Sequence, residues 1–198
     1  LKTAETEIIL KQIENYQYLY LSGISIAILD GESLRKLVEL LKRFRAKGGK
    51  VAFDNNYRPR LWADQQQAQA VYWDILSCTD IAFLTLDDED LLWGKQSLES
   101  VIKRSKQLGI SEIIIKRGAE SCIIDAPEGQ FDVPANKIAK SAIVDTTAAG
   151  DSFSAGYLAA RLQGKDPVSA AKQGHLVAGK VIQHQGAVIP KEAMPKIK

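Results

Sequence analysis

Asp151 stands in the run Asp145-Thr146-Thr147-Ala148-Ala149-Gly150-Asp151-Ser152-Phe153-Ser154-Ala155-Gly156, where acidic side chains bracket small ones. Small residues let backbone N–H groups face a ligand, and Gly150 opens an amphipathic stretch that continues to about Leu162. A helix start offers N–H donors and the positive end of the macrodipole, so negative charge developing on a transferring phosphoryl group is stabilised beside it. The N–H groups of Ala148, Ala149 and Gly150 are the expected anion hole. Asp151, beside that charge, is placed to take the proton of a substrate hydroxyl as its oxygen attacks phosphorus. The residue types alone leave a second explanation open, because acids at 145 and 151 also cap or electrostatically favour a helix start.

The length of the string narrows the choice. From Asp145 to Gly156 it closely resembles the C-terminal signature of the ribokinase, or PfkB-type, carbohydrate kinases. That resemblance implies that Asp151 is the catalytic base, that ATP is the phosphoryl donor and that Mg2+ accompanies it. Ala148 departs from the pattern, since many members carry Gly there. Its methyl group restricts the turn while leaving the N–H donors in place.

A second polar run, Phe53-Asp54-Asn55-Asn56-Tyr57-Arg58-Pro59-Arg60-Leu61-Trp62, follows an apolar strand and is stiffened by Pro59. Arginine there invites an anion, because a guanidinium fork matches a carboxylate bidentately. A loop salt bridge or a solvated arginine is the competing explanation. Within the same family the run resembles the branch acting on the acid sugar 2-keto-3-deoxygluconate. The resemblance makes Arg58 the substrate-binding residue, with its neighbour Asn56 near the nucleotide.

Three further stretches offer weaker signals. Thr85-Leu86-Asp87-Asp88-Glu89-Asp90 reads first as acids favouring a helix start. The family places Asn-x-x-Glu in this region, and by that resemblance Glu89 helps arrange magnesium through water, although Leu86 holds the Asn position. Lys116 and Gly118, in Ile115-Lys116-Arg117-Gly118, resemble the family's strand and turn beside the nucleotide, while Gly118 equally suits a plain hairpin. His175 lies in a small-residue helix bordering the adenine pocket of relatives, and a buried structural histidine is its alternative role. The chain contains neither a Gly-x-x-x-x-Gly-Lys-Ser/Thr loop nor a Gly-x-Gly-x-x-Gly turn opening a helix, which disfavours P-loop and dinucleotide enzymes.

The elements that must position these residues follow from periodicity. Helical spacing of apolar residues is expected around Ile8–Tyr16, Leu34–Phe44, Gln65–Leu76, Leu98–Leu108, Gly150–Leu162 and Val168–Val181. Strands are expected at 18–22, 50–54, 81–84, 112–116, 121–125 and 130–133, with Ile143-Val144 ending a further strand. Gly23 and Ser25 are expected to loosen the chain, and Gly186–Pro190 to end the ordered region. The alternation implies one α/β domain over residues 1–198 with a mainly parallel sheet and helices on both faces. With the resemblance, this becomes a ribokinase-like three-layer α/β/α fold. Ligands of open α/β sheets gather beyond the strands' carboxyl ends, where the loops after Leu21, Phe53, Leu84 and Ile115 face.

Composition excludes several classes. The 198 residues are 45% hydrophobic and 25% charged, ordinary for a globular protein. A net charge of +2 from 26 basic and 24 acidic residues, without a basic block, indicates neither a nucleic-acid nor a membrane partner. No apolar run approaches the roughly 20 residues of a spanning helix, so a cytoplasmic location is expected. Cys78 and Cys122 lack metal-like spacing and are expected to be buried free thiols.

The reading is an ATP-dependent kinase for 2-keto-3-deoxygluconate, with the sugar acid and ATP as partners and a homo-oligomer as an allowed assembly. A kinase for a neutral sugar or nucleoside, and a non-catalytic nucleotide-binding module, are its rivals. The chain opens on Leu1, and relatives begin with early strands and a small β lid that are not evident here. The expectation is therefore an incomplete polypeptide, weakly active by itself.

Overall fold

A computed structural model describes residues 4–195. The chain divides into two compact units, Leu1–Ile114 and Ile115–Lys198.

In the first unit, helix α1 (Ala4–Ile13) leads into strand β1 (Tyr18–Ser22) and a short helix α2 (Gly23–Ala27). Helix α3 (Gly31–Ala46), β2 (Lys50–Asp54), α4 (Gln65–Leu76) and β3 (Ile81–Thr85) continue the alternation. Helices α5 (Leu86–Trp93) and α6 (Leu98–Gln107) precede β4 (Glu112–Lys116), which reaches the unit boundary. β1, β2 and β3 are parallel, with Leu19 opposite Val51 and Phe53 opposite Ala82. The β2 run Val51-Ala52-Phe53 and β3 run Ala82-Phe83-Leu84 are fully buried, as continuous apolar strands covered on both faces must be. Leu40, Leu41 and Phe44 on one stripe of α3 are buried too, each stabilising the fold by about 1.5–3 kcal/mol.

Helix ends are fixed by side chains at ordinary places. Asp30, Asp64 and Ser97 accept the N–H of Ser33, Gln67 and Ser100 at the starts of α3, α4 and α6. Gly48, at φ 92°, closes α3 in the left-handed region expected of a terminating glycine.

The second unit holds the end of β4, then β5 (Ser121–Ala126) and β6 (Gly129–Pro134), an antiparallel hairpin pairing Ile124 with Phe131. Helices α7 (Ala149–Leu162) and α8 (Pro167–Val181) follow. They pack closely because glycine faces the partner. A methyl group at Gly174 would lie 2.8 Å from Phe153 O, and one at Gly156 3.0 Å from Val177. Asp166 caps α8 by accepting Ser169 N–H at 3.0 Å.

Three local expectations fail. Gly23 and Ser25 lie in α2 rather than in a loose stretch. Ile143 and Val144 form no strand. They are exposed, and the Val144 and Asp145 N–H groups both donate to the single carbonyl of Ile182. Order continues past Pro190 into a 3-10 turn at Lys191–Ala193, because Ile189 is buried with Val177 and Val181 and Ala193 packs against them.

Candidate active site

The second unit places Asp151 in the first turn of α7, solvent-exposed. No side chain caps this helix. Its N-cap residue, Ala148, is left-handed at φ 58° and ψ 17°, a conformation that costs a residue with a Cβ about 1–2 kcal/mol. The turn is held instead by Asp145, whose carboxylate accepts the N–H groups of Thr147 and Gly186, each at 2.9 Å. The hydrogen bonds from Thr147 first, then that from Gly186, hold the Asp145 carboxyl below the usual carboxylate range. This aspartate therefore builds the turn, leaving Asp151 as the acid of the pair that faces outward.

The N–H groups of residues 148–150 stand at the start of α7. The first intrahelical bond runs from Ser152 N–H to Ala148 O at 2.9 Å, so helical geometry gives the preceding N–H groups no acceptor within the helix. Ala149 N–H turns back to Thr146 O at 3.2 Å. Gly150 and Ala148 hold the remaining predicted positions.

Lys116, at the end of β4, is buried and donates to Ser154 Oγ at 3.3 Å. A Cβ built on Gly150 would meet its ammonium at 3.4 Å. A cation thus stands at the start of a helix, whose dipole favours anions and not cations. Both fields point to a negatively charged occupant. Gly118, at φ 59°, lies in the exposed turn between β4 and β5, with Glu120 N–H donating to Arg117 O at 3.2 Å. His175 is buried between other groups: its Nε2 lies 3.1 Å from Val133 O, and its ring meets Phe153 edge-on at 4.9 Å between centroids. Burial pushes its pKa down, so it is a neutral ring fitted into the helix-to-hairpin packing.

The first unit places the other candidates. Asn56 follows β2 at φ 31°, and with Ala148 it makes the two left-handed non-glycine residues among those described. Both fall in the runs singled out for chemistry, where strained backbone is commonly found. Arg58 is exposed; its Nη1 donates to Tyr57 O at 2.9 Å and reaches Asp88 Oδ1 at 3.4 Å. Glu89 lies in the first turn of α5. Its carboxylate is fully buried, ion-paired with Arg104 and accepting from Asn55 Nδ2 at 3.0 Å. Desolvation raises its pKa, and the Arg104 charge opposes that rise.

Residues that the sequence did not single out shape this segment. Tyr72 OH donates to Asn55 O at 2.6 Å. Gly23 packs so tightly that a Cβ would lie 2.0 Å from both Asn55 O and the Tyr72 hydroxyl. Its absence of a side chain makes room for the loop, and no local signal beyond the glycine itself could have shown that.

With the geometry in hand, relatives decide the family. The pattern described as pfkB family carbohydrate kinase matches residues 1–194. The chain belongs to the PfkB family. Similar PfkB-family proteins include the 2-dehydro-3-deoxygluconokinase of Escherichia coli (strain K12), 58% identical over 98% of this chain and 63% of that protein. The enzyme of the same name from Dickeya dadantii is 53% identical over the same shares. The chain thus spans about 63% of the length of these relatives. Among solved structures, a PfkB protein from Polaromonas sp. JS666 superposes with TM-score 0.77 at 26% identity, over 92% of this chain and 58% of that one. Aminoimidazole riboside kinase from Salmonella enterica, solved with aminoimidazole riboside and an ATP analog, gives TM-score 0.74 at 26% identity over 87% and 58%. The fold is accordingly the ribokinase-like α/β fold that the resemblance implied and the alternation of strands and helices fits.

Cys78 and Cys122 are buried free thiols, the latter with its pKa pushed up to about 12 by desolvation. Among the described residues, no group of three or more His, Cys, Asp or Glu could hold a metal ion, and no helix is long and apolar enough to cross a membrane.

Proposed function

We propose that the protein carrying this chain is an ATP-dependent kinase that phosphorylates 2-dehydro-3-deoxygluconate, also called 2-keto-3-deoxygluconate, to its 6-phosphate. The observation that carries this reading is the start of α7, an uncapped helix N-terminus with the Asp151 carboxylate in its first turn and the Lys116 ammonium beside Gly150. Asp151 takes the proton of the attacking hydroxyl. The N–H groups of Ala148 and Gly150, that of Ala149 once it leaves Thr146 O, and Lys116 offset the charge gathering on the transferred group, so positioning and electrostatics supply the acceleration. The 58% identity to an enzyme named for this sugar acid supports the substrate.

Arg58 binds the substrate carboxylate in this reading, exchanging its long contact with Asp88 for a shorter one. Asn56, Gly118 and His175 border the nucleotide. Magnesium would accompany the ATP phosphates and neutralise part of their charge, keeping several waters, as is usual for this cation. Glu89 keeps an indirect role around that ion, through water, from a buried carboxylate that also accepts from Arg104 and Asn55. The two units serve one catalytic domain, and a cytoplasmic, homo-oligomeric enzyme is part of the same proposal.

The Arg58–Asp88 pair is the observation that favours a neutral-sugar kinase, since it gives Arg58 a partner without substrate. Measuring ADP release by the purified native polypeptide with 2-dehydro-3-deoxygluconate, ribose and fructose separates the two. Preference for the acid sugar is expected. Preference for ribose or fructose would overturn the substrate assignment, and ATP binding without turnover on any sugar would overturn the kinase.

A further inference from the structure

Glu89 and Arg104 form a buried ion pair whose other bonds lead to the Arg58 segment. The Arg104 side chain is 14% exposed and that of Glu89 not at all. The guanidinium stacks 4.9 Å from the Trp93 ring centroid and reaches Gln96 Oε1 at 3.4 Å, so its position is fixed from the side away from Glu89. Glu89 passes that constraint to the Asn55 amide, whose Nδ2 donates both to Glu89 Oε1 at 3.0 Å and to Thr85 O at 3.2 Å. The amide oxygen accepts from Thr85 N–H at 3.0 Å and from Asn56 N–H at 2.8 Å. Both donors and both acceptor directions of one side chain are thereby used, tying the end of β2 to the end of β3.

Such a pair is a poor way to gain stability alone, because removing two charges from water costs much of what their attraction returns. Apolar side chains would fill the same volume. What apolar side chains cannot supply is direction: the acceptor at Glu89, with Thr85 O, holds the Asn55 amide nitrogen on one side, so that its oxygen meets the Asn56 and Thr85 N–H groups. Asn56 is the residue held at φ 31°, and Arg58 lies two residues on. Asp88, the half-buried neighbour of Glu89 on the same helix turn, contacts Arg58 itself.

We propose that Arg104 is a positioning residue, acting through Glu89 and Asn55 to hold the Asn56–Arg58 backbone in the geometry that presents the Arg58 guanidinium to an acidic substrate. The kinetic part rests on the function proposed above. The structural part does not.

The test uses Arg104→Gln and Arg104→Lys in the native polypeptide, read by amide hydrogen exchange and by steady-state kinetics. In Arg104→Gln, exchange at Asn56 and Thr85 should rise about ten-fold while the Val51–Phe53 amides keep wild-type rates, as expected for local opening. KM for 2-dehydro-3-deoxygluconate should rise about ten-fold with kcat changed less than about two-fold, the mark of lost binding and not of lost chemistry. Arg104→Lys, which restores the charge, should recover most of both effects. Exchange rising evenly through the first unit, or unchanged at Asn56 and Thr85, overturns the proposal, as does local opening with an unmoved KM. Should Arg104→Gln fail to fold, Glu89→Gln/Arg104→Gln removes both charges together. It should show the same local rise, and wild-type exchange in it overturns the proposal. Absence of acid-sugar turnover in the wild type would refute the proposed function, while the exchange measurement still decides the clamp.

Discussion

Asn55–Arg58 and Ala148–Asp151 share a backbone feature and differ in how it is held. Each contains a non-glycine residue at positive φ, Asn56 at 31° and Ala148 at 58°. The first is locked from the interior: the Asn55 amide is fully bonded, Tyr72 donates to its carbonyl, and Gly23 leaves no space behind it. The second lies at the surface, held by the Asp145 carboxylate and left without a side-chain cap, whereas α3, α4, α6 and α8 all have one. A capping side chain would occupy the donors that an anion needs. In the function proposed above the difference would separate two tasks: one segment orients a ligand through fixed side chains, and the other offers backbone charge that must stay open.

Four measurements press on that contrast, beginning with the largest effect. Asp151→Asn should lower kcat by about 10²–10⁴-fold, the usual contribution of a positioned base, while nucleotide affinity stays near wild type. Turnover surviving this change would remove Asp151 from the chemistry. Next comes a pair of glycine substitutions compared by urea unfolding. Gly23→Ala drives a methyl group to 2.0 Å from two oxygens and should destabilise by about 3 kcal/mol. Gly150→Ala meets only the flexible end of Lys116 at 3.4 Å and should change stability by less than about 1 kcal/mol. Equal costs would erase the distinction between a locked and an open segment.

Arg58→Ala should then weaken acid-sugar binding by about 1.5–3 kcal/mol, the range for a charge-assisted hydrogen bond, with little effect on a neutral sugar. Equal weakening of both would mean that Arg58 acts only on the loop. The smallest effect is a slope. Burial lowers the His175 pKa in the folded chain, so on acidification the unfolded chain takes up this proton first. Stability is fully present above the ordinary imidazole value of about 6.5 and is lost as pH falls from there through the folded-state pKa. Denaturant midpoints of wild type and His175→Gln should diverge across that window. Parallel curves would show that the ring titrates in the folded protein without penalty.

The sequence made much of this legible where local chemistry governs. Strands β1, β2 and β4 and helix α4 begin and end where the sequence pattern places them, because short apolar runs and the turn residues that bound them act within a few residues. Asp151 was visible for the same reason, inside one contiguous string. Glu89 was visible as an acid but not as a buried one: its partner Arg104 lies on the next helix, and a stretch of acids at a helix start reads as solvated until that helix is placed. Gly23 misled for a related reason. A glycine promises flexibility in sequence, whereas here it serves a close approach by residues more than thirty positions away. Ile143 and Val144 had the residue types of a strand without a strand beside them to pair with. The Val144 and Asp145 N–H groups bond one helix-end carbonyl, while Ile143 N–H turns back to Lys140 O, partners that no periodicity announces.

The Asn55 amide has one more consequence, which concerns ageing and not folding. Its two ends are chemically distinct and each is spoken for, nitrogen toward Glu89 and Thr85 O, oxygen toward the Asn56 and Thr85 N–H groups. Hydrolysis of a side-chain amide exchanges that nitrogen for oxygen with almost no change in size. At position 55 this one-atom exchange removes both donors and sets a second carboxylate against the buried one of Glu89, where like charges are costly. A slow chemical lesion that passes unnoticed at an exposed asparagine would here act with the force of a mutation.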